Sequence, residues 1–116
     1  MRVWMVSIIT LVAMSFSSST KEEGKATYYA NAFQGRKTSS GEIFNQKLLT
    51  GAHKSLPFGT LVQVRNVVND SIIVVKINDR LPQRSSCIID LSYSAAQQLN
   101  FVRQGIARVE LTTVND

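Results

Sequence analysis

One cysteine, one histidine and no apolar run of membrane-spanning length set the first limits on this chain. Cys87 alone cannot form an intrachain disulfide, so stability must come from packing, with the thiol expected as a buried apolar group inside "SSCIIDLS". His53 has no cysteine or second histidine beside it, which makes a poor metal site, and no metal or other cofactor is expected. The apolar stretch from Val3 to Met14 is shorter than the roughly 20 residues that cross a bilayer. Basic residues are scattered singly, without the cluster and aromatic stacking platform of a nucleic-acid binder, and no phosphate-binding glycine pattern is present. Solenoid-type repeats are missing, as are low-complexity runs beyond the serines of "SFSSST".

What is there begins with an address. A positive start at Met1-Arg2, the apolar "VWMVSIITLVAM" and the small residues after it read as a cleaved secretory signal over residues 1–19. Cleavage after Ser15, Ser17 or Ser19 is equally open, and a retained anchor is the alternative. Residues 20–24 are expected as a short flexible linker, and residues 25–114 as a single small domain. Without Arg2, twelve Lys and Arg stand against eight Asp and Glu, a net charge of +4. That surface favours anionic partners, which for an exported protein means an acidic envelope polymer. A periplasmic or secreted monomer, with no stable membrane insertion after signal cleavage, is the resulting expectation.

From Lys25 onward short strands alternate with turn residues. "KATYYA" mixes β-branched and aromatic residues, "LVQVRN" alternates apolar and polar, and "IARVELT" reads as a strand near the C-terminus. "SIIVVKI" is an apolar β-branched run expected to be buried on both faces, and Asn69-Asp70 supplies a hairpin turn before it. Only "SYSAAQQLN" reads as a helix, capped by Ser92 or Ser94 and stopped by Asn100. Many strands with one short helix predict a mainly β fold closed into a small barrel, since closure removes exposed strand edges.

Three polar residues sit at the ends of apolar segments, where loops carry function on a rigid scaffold. Glu42 follows Ser39-Ser40-Gly41, His53 follows Thr50-Gly51-Ala52, and Asp79 follows the apolar run and Asn78. Asp79 is the most suggestive, because a carboxyl at the mouth of a buried strand is expected to have a raised pKa and to keep a proton for general acid work. The plainer readings are a turn aspartate beside Arg80, a solvated Glu42, and an Asp90 that does no more than cap the following helix.

The ordered strings "GKATYYAN", "GRKTSSGEIFN", "LTGAHKSLPFGTLVQVRN", "VVKINDRLP" and "IIDLSYSAAQQL" resemble the rare lipoprotein A (RlpA) family of septal lytic transglycosylases, over about Gly24 to Leu111. The resemblance implies a six-stranded double-psi β-barrel with one or two short helices. It also implies endolytic cleavage of the MurNAc-GlcNAc β-1,4 bond of peptidoglycan, leaving 1,6-anhydroMurNAc ends. Carried over by motif, Asp79, His53 and Glu42 become the catalytic trio, with Asp79 as acid and base, His53 orienting the groups, and Glu42 stabilising charge at C1 or sharing the proton. Tyr28, Tyr29, Phe33, Asn78 and Arg80 become candidate contacts to the glycan strand, and Phe44 a further aromatic of the groove or the core.

Three departures qualify the resemblance. No cysteine ends the signal, so lipidation is not expected. Leu81 stands where the family's "DRGP" has glycine, Ser86-Cys87 replaces "GR" before "IIDLS", and no peptidoglycan-binding SPOR domain follows. Two rival readings remain at this point, an expansin-like module that binds or loosens walls without cleaving glycan and a structural partner of an envelope protein.

Overall fold

The computed structural model describes residues 21–114, so the signal expected over residues 1–19 lies outside the described residues. Six strands form a closed barrel: β1 (Lys21–Tyr28), β2 (Thr50–His53), β3 (Leu61–Asn66), β4 (Ile72–Arg80), β5 (Ile89–Leu91) and β6 (Ala107–Thr113). Their order around the barrel is β1-β5-β2-β4-β3-β6. The β1/β5 and β2/β4 pairs are parallel and the other four antiparallel. One α-helix, α1 (Tyr93–Gln98), and a 3-10 turn at Asn31–Phe33 complete the architecture, the double-psi barrel that the resemblance implied.

Local chemistry explains the most regular parts. The β3–β4 hairpin turns at Asp70, whose φ of 64° is a conformation Asp and Asn tolerate better than most residues. Val62, Val64, Ile73 and Val75 of this hairpin point inward, meeting Ile77, Ile89, Leu91 and Phe101 in the main core. Ser92 caps α1 by accepting a hydrogen bond from the Ala95 N–H, and Asn100, at φ 59°, ends the turn that follows. Because Ser92 is fully buried, Ser92→Ala is expected to cost about 1 kcal/mol, read as a lower urea midpoint at unchanged slope.

Two expectations are corrected. β1 begins at Lys21, and residues 21–24 pair with β6 through Thr112, Leu111, Glu110 and Val109, so they are strand rather than linker. Backbone pairing there needs no apolar side chains, which is why the charged "KEEG" concealed it. The run "SIIVVKI" is buried on one face only, with Ile72 52% and Val74 43% exposed. On this uncovered stretch of the barrel's outer face, β-branched residues serve strand geometry as well as burial.

Two short strands, β2 and β5, escaped the sequence pattern and build the floor of the site. Between β2 and β4 the register shifts: Gly51 pairs with Ile77, but Ala52 pairs with Asp79. Asn78 is therefore an extra residue, a β-bulge, and it turns Asp79 away from the core side that Ile77 occupies. A second apolar cluster of Tyr29, Phe44, Ala52, Leu81 and Cys87 lies outside the barrel core.

Candidate active site

Asp79 is held by three donors. The Tyr29 hydroxyl donates to Oδ2 at 2.5 Å, and the backbone N–H groups of Ser39 and Arg80 donate to Oδ1 at 2.9 and 2.8 Å. Burial pushes the carboxyl pKa up, but these donors outweigh it and hold Asp79 below the ordinary carboxylate value. The expected raised pKa is thereby corrected: Asp79 is an anion at neutral pH, well stabilised as a charge and poorly suited to storing a proton. Its partner Tyr29 is pushed far upward, first by burial, then by the hydrogen bond and by the fields of Asp79 and Asp90, and remains a donor.

Glu42 reaches the same region from the loop before β2. It accepts from Lys76 Nζ at 2.8 Å and Asn78 Nδ2 at 3.0 Å, and these bonds lower its pKa. The tight "TSSGE" turn closes with the Thr38 N–H on the Glu42 carbonyl, uses Gly41 at φ +95°, and is pinned by Thr38 Oγ1 on the Asn78 carbonyl. One loop thus supplies the Ser39 N–H to Asp79 and presents the exposed Glu42 beside it.

His53 is elsewhere. Its Nδ1 accepts from the Ser55 and Leu56 N–H groups, both at 3.0 Å, which puts the ring proton on Nε2, 2.9 Å from Glu22 Oε1 of β1. His53 is 4% exposed with both ring nitrogens engaged; Glu42 and Asp79 are linked through Asn78 and the turn before it in sequence, and His53 has a hydrogen bond to neither.

The proposed glycan contacts divide in the same way. Tyr28 donates to the Val102 carbonyl and packs on Tyr93 and Phe101, against the core. Tyr29 is buried, stacked on the equally buried Phe44 at 4.2 Å, and serves Asp79. Arg80 donates to the carbonyls of His53 and Leu56 and lies over the Phe58 ring, fastening that loop. Asn78, the bulge residue, is buried and donates to Glu42, whereas Phe33, edge-on to Tyr29 and with the Arg36 guanidinium over its ring at 5.4 Å, is exposed.

Leu81 adopts no positive φ and packs with Cys87 in the second apolar cluster. The two departures from the family pattern therefore fill one space, next to Tyr29 and Ala52.

Asp90 is the residue that the sequence reading undervalued. It lies in β5 between the fully buried Ile89 and Leu91, and strand alternation sends its side chain to the opposite face from theirs. Ser92, not Asp90, caps the helix. Asp90 pairs with Thr27 of β1 and with Ala52 of β2, which in turn pairs with Asp79. Burial pushes its pKa up to about 6, against the Thr27 hydrogen bond and with the help of the Asp79 charge. The available signal was the charge in "IIDLS", an outward residue between two inward ones.

Comparison with known proteins follows the geometry. A family model described as lytic transglycolase matches residues 21–111. The endolytic peptidoglycan transglycosylase RlpA of Helicobacter pylori is 48% identical over 91 residues, covering 78% of this chain and 29% of the relative. The protein of the same name from Rickettsia bellii is 43% identical over 96 residues, covering 80% and 42%. The chain thus spans less than half the length of the curated relatives it matches. Among solved structures, Streptomyces papain inhibitor has a TM-score of 0.66 at 24% identity, covering 83% of this chain and 96% of the inhibitor. Apo-expansin of Clavibacter michiganensis has 0.68 at 21%, covering 84% and 52%. At these identities the two structures speak for the fold alone.

Proposed function

Since the chain belongs to the RlpA family of lytic transglycosylases, we propose that this domain cleaves peptidoglycan glycan strands endolytically between MurNAc and GlcNAc, leaving 1,6-anhydroMurNAc ends. The observation that carries this reading is the Asp79 anion, turned outward by the bulge at Asn78 and beside a second, partly buried carboxyl.

The chemistry asks for little more. Cleavage leaves positive charge at C1 of the muramic acid, which a fixed carboxylate stabilises best where its donors are already in place. Asp79 has that preorganisation from Tyr29, Ser39 and Arg80. The sugar's own C6 hydroxyl is the nucleophile, so no second carboxylate need form a covalent intermediate. Glu42 with Lys76 offers an acceptor and a donor at the rim, and Phe33 a stacking surface. The polymer lies outside the cytoplasmic membrane, so we place the protein, unlipidated, in the periplasm or the medium.

Purified domain incubated with intact peptidoglycan, and separately with amidase-stripped glycan, is expected to generate new 1,6-anhydroMurNAc ends detectable by mass spectrometry. Binding to the wall without such ends would replace the enzyme with a glycan-binding module.

A further inference from the structure

We propose that Asp90, rather than Asp79, carries the proton in this reaction, giving it to the glycosidic oxygen that leaves and taking one back from the attacking C6 hydroxyl. The inference rests on the transglycosylase reading and assigns a role within that site.

Placement comes first. Thr27, Asp90, Ala52 and Asp79 are register partners across the neighbouring strands β1, β5, β2 and β4, so their side chains form one row on the same face of the sheet. Ala52, whose side chain is a single methyl, is the residue between the two carboxyls. That methyl is itself covered by the second apolar cluster, so the row leaves two half-buried carboxyls flanking a buried residue, near enough for the Asp79 charge to act on Asp90.

The hydrogen-bond inventories then divide the labour. Asp79 accepts from three donors, whereas among the described residues Asp90 accepts one side-chain hydrogen bond, from Thr27 at 3.1 Å. No ion pair among the described residues involves Asp90. The titratable groups that face it are the Asp79 anion from β4 and the Tyr29 phenol after β1, while Thr27 and Ala52 bring no charge. Burial without a cation, beside an anion, favours the protonated form and accounts for a pKa near 6. Two carboxyls whose surroundings push them apart make an acid and a fixed anion.

The step balances without a further reactant. The Asp90 O–H proton moves to the glycosidic oxygen as the C1–O bond breaks and its electron pair leaves with that oxygen. The C6 oxygen bonds to C1, closing the anhydro ring, and its proton restores Asp90. Asp79 faces the positive charge throughout and exchanges no proton.

The test pairs two substrates with wild type, Asp90→Asn and Asp79→Asn. One substrate is peptidoglycan, and the other is the 2,4-dinitrophenyl β-glycoside of GlcNAc-MurNAc, whose leaving group needs no proton. Asp90→Asn is expected to lose on the order of a hundredfold or more on peptidoglycan and clearly less on the dinitrophenyl glycoside, where only the acceptor of the C6 proton is missing, while Asp79→Asn loses both. Wild-type kcat/KM on peptidoglycan should fall above about pH 6. Near-wild-type cleavage of peptidoglycan by Asp90→Asn, or equal loss on the two substrates, overturns the assignment. Should that variant fail to fold, carboxyl carbon NMR on wild type and Asp79→Asn decides instead. The Asp90 midpoint is expected near 6 and lower once the Asp79 charge is gone, and an ordinary midpoint in wild type overturns the inference. Wild type that makes no anhydro ends from either substrate overturns the transglycosylase reading and this inference with it.

Discussion

Asp79→Asn is expected to cut the formation of anhydro ends about a thousandfold while leaving the melting curve nearly unchanged, a loss in the range of removing one preorganised electrostatic group. Asparagine has the shape of aspartate, and its Oδ1 can keep the Ser39 and Arg80 N–H bonds. The Tyr29 hydroxyl, which now donates to Oδ2, can rotate and accept from the new amide. What disappears is the charge. Measuring anhydro ends and thermal unfolding on one preparation separates the two effects. Unchanged turnover would sink the role given to Asp79, and a collapsed melt would show that its three hydrogen bonds are chiefly structural.

The second large effect is expected at His53 and is of the opposite kind. His53→Ala removes the acceptor for the Ser55 and Leu56 N–H groups and the donor to Glu22. Ser55 is exposed and Leu56 half-buried, so water can pair part of what is freed, while loss of the buried ring leaves a cavity; a total of about 2 kcal/mol, or roughly 8–16 °C in a domain of this size, is the expected loss. His53→Asn should recover part of it, because an amide oxygen can stand where Nδ1 now accepts. Urea unfolding reads the stability, and turnover measured well below the melt reads the chemistry. The expected pattern is a lower midpoint with activity per folded molecule largely kept. Activity lost at an unchanged midpoint would return His53 to the reaction.

These two residues also show how far the sequence was legible. The β3–β4 hairpin, helix α1 and strand β6 followed from alternation, the Asn69-Asp70 turn and the Ser92 cap, because each is decided by neighbours in sequence. β2 and β5 were not, since "TGAH" and "IDL" are short and are held as strands by partners on both sides rather than by propensity. The site divided in the same way. Glu42 and Asp79 come to one side of the barrel because a single turn of the chain, residues 38–42, bonds Asp79 and carries Glu42, which local glycine and hydroxyl residues foreshadowed. Asp90 joins them only through register across β2, a relation that no window of sequence contains. His53 looked equivalent to the others on paper, yet its ring nitrogens answer to the loop after β2 and to β1.

The extra residue in β4 has a consequence for how such a barrel gains or loses its chemistry. A strand counts side chains by twos, so parity alone decides whether a carboxyl faces oil or water. Because Asn78 is left out of the pairing, the two steps from Ile77 to Asp79 count as one, so Ile77 faces inward and Asp79 faces out. A change that drew Asn78 into regular pairing opposite Ala52 would keep the barrel's composition and its aspartate, yet turn that aspartate toward the core. Which side chain this strand offers to solvent is therefore separable from folding by a one-residue shift of pairing, a reading-frame of side chains that can switch without touching the aspartate itself.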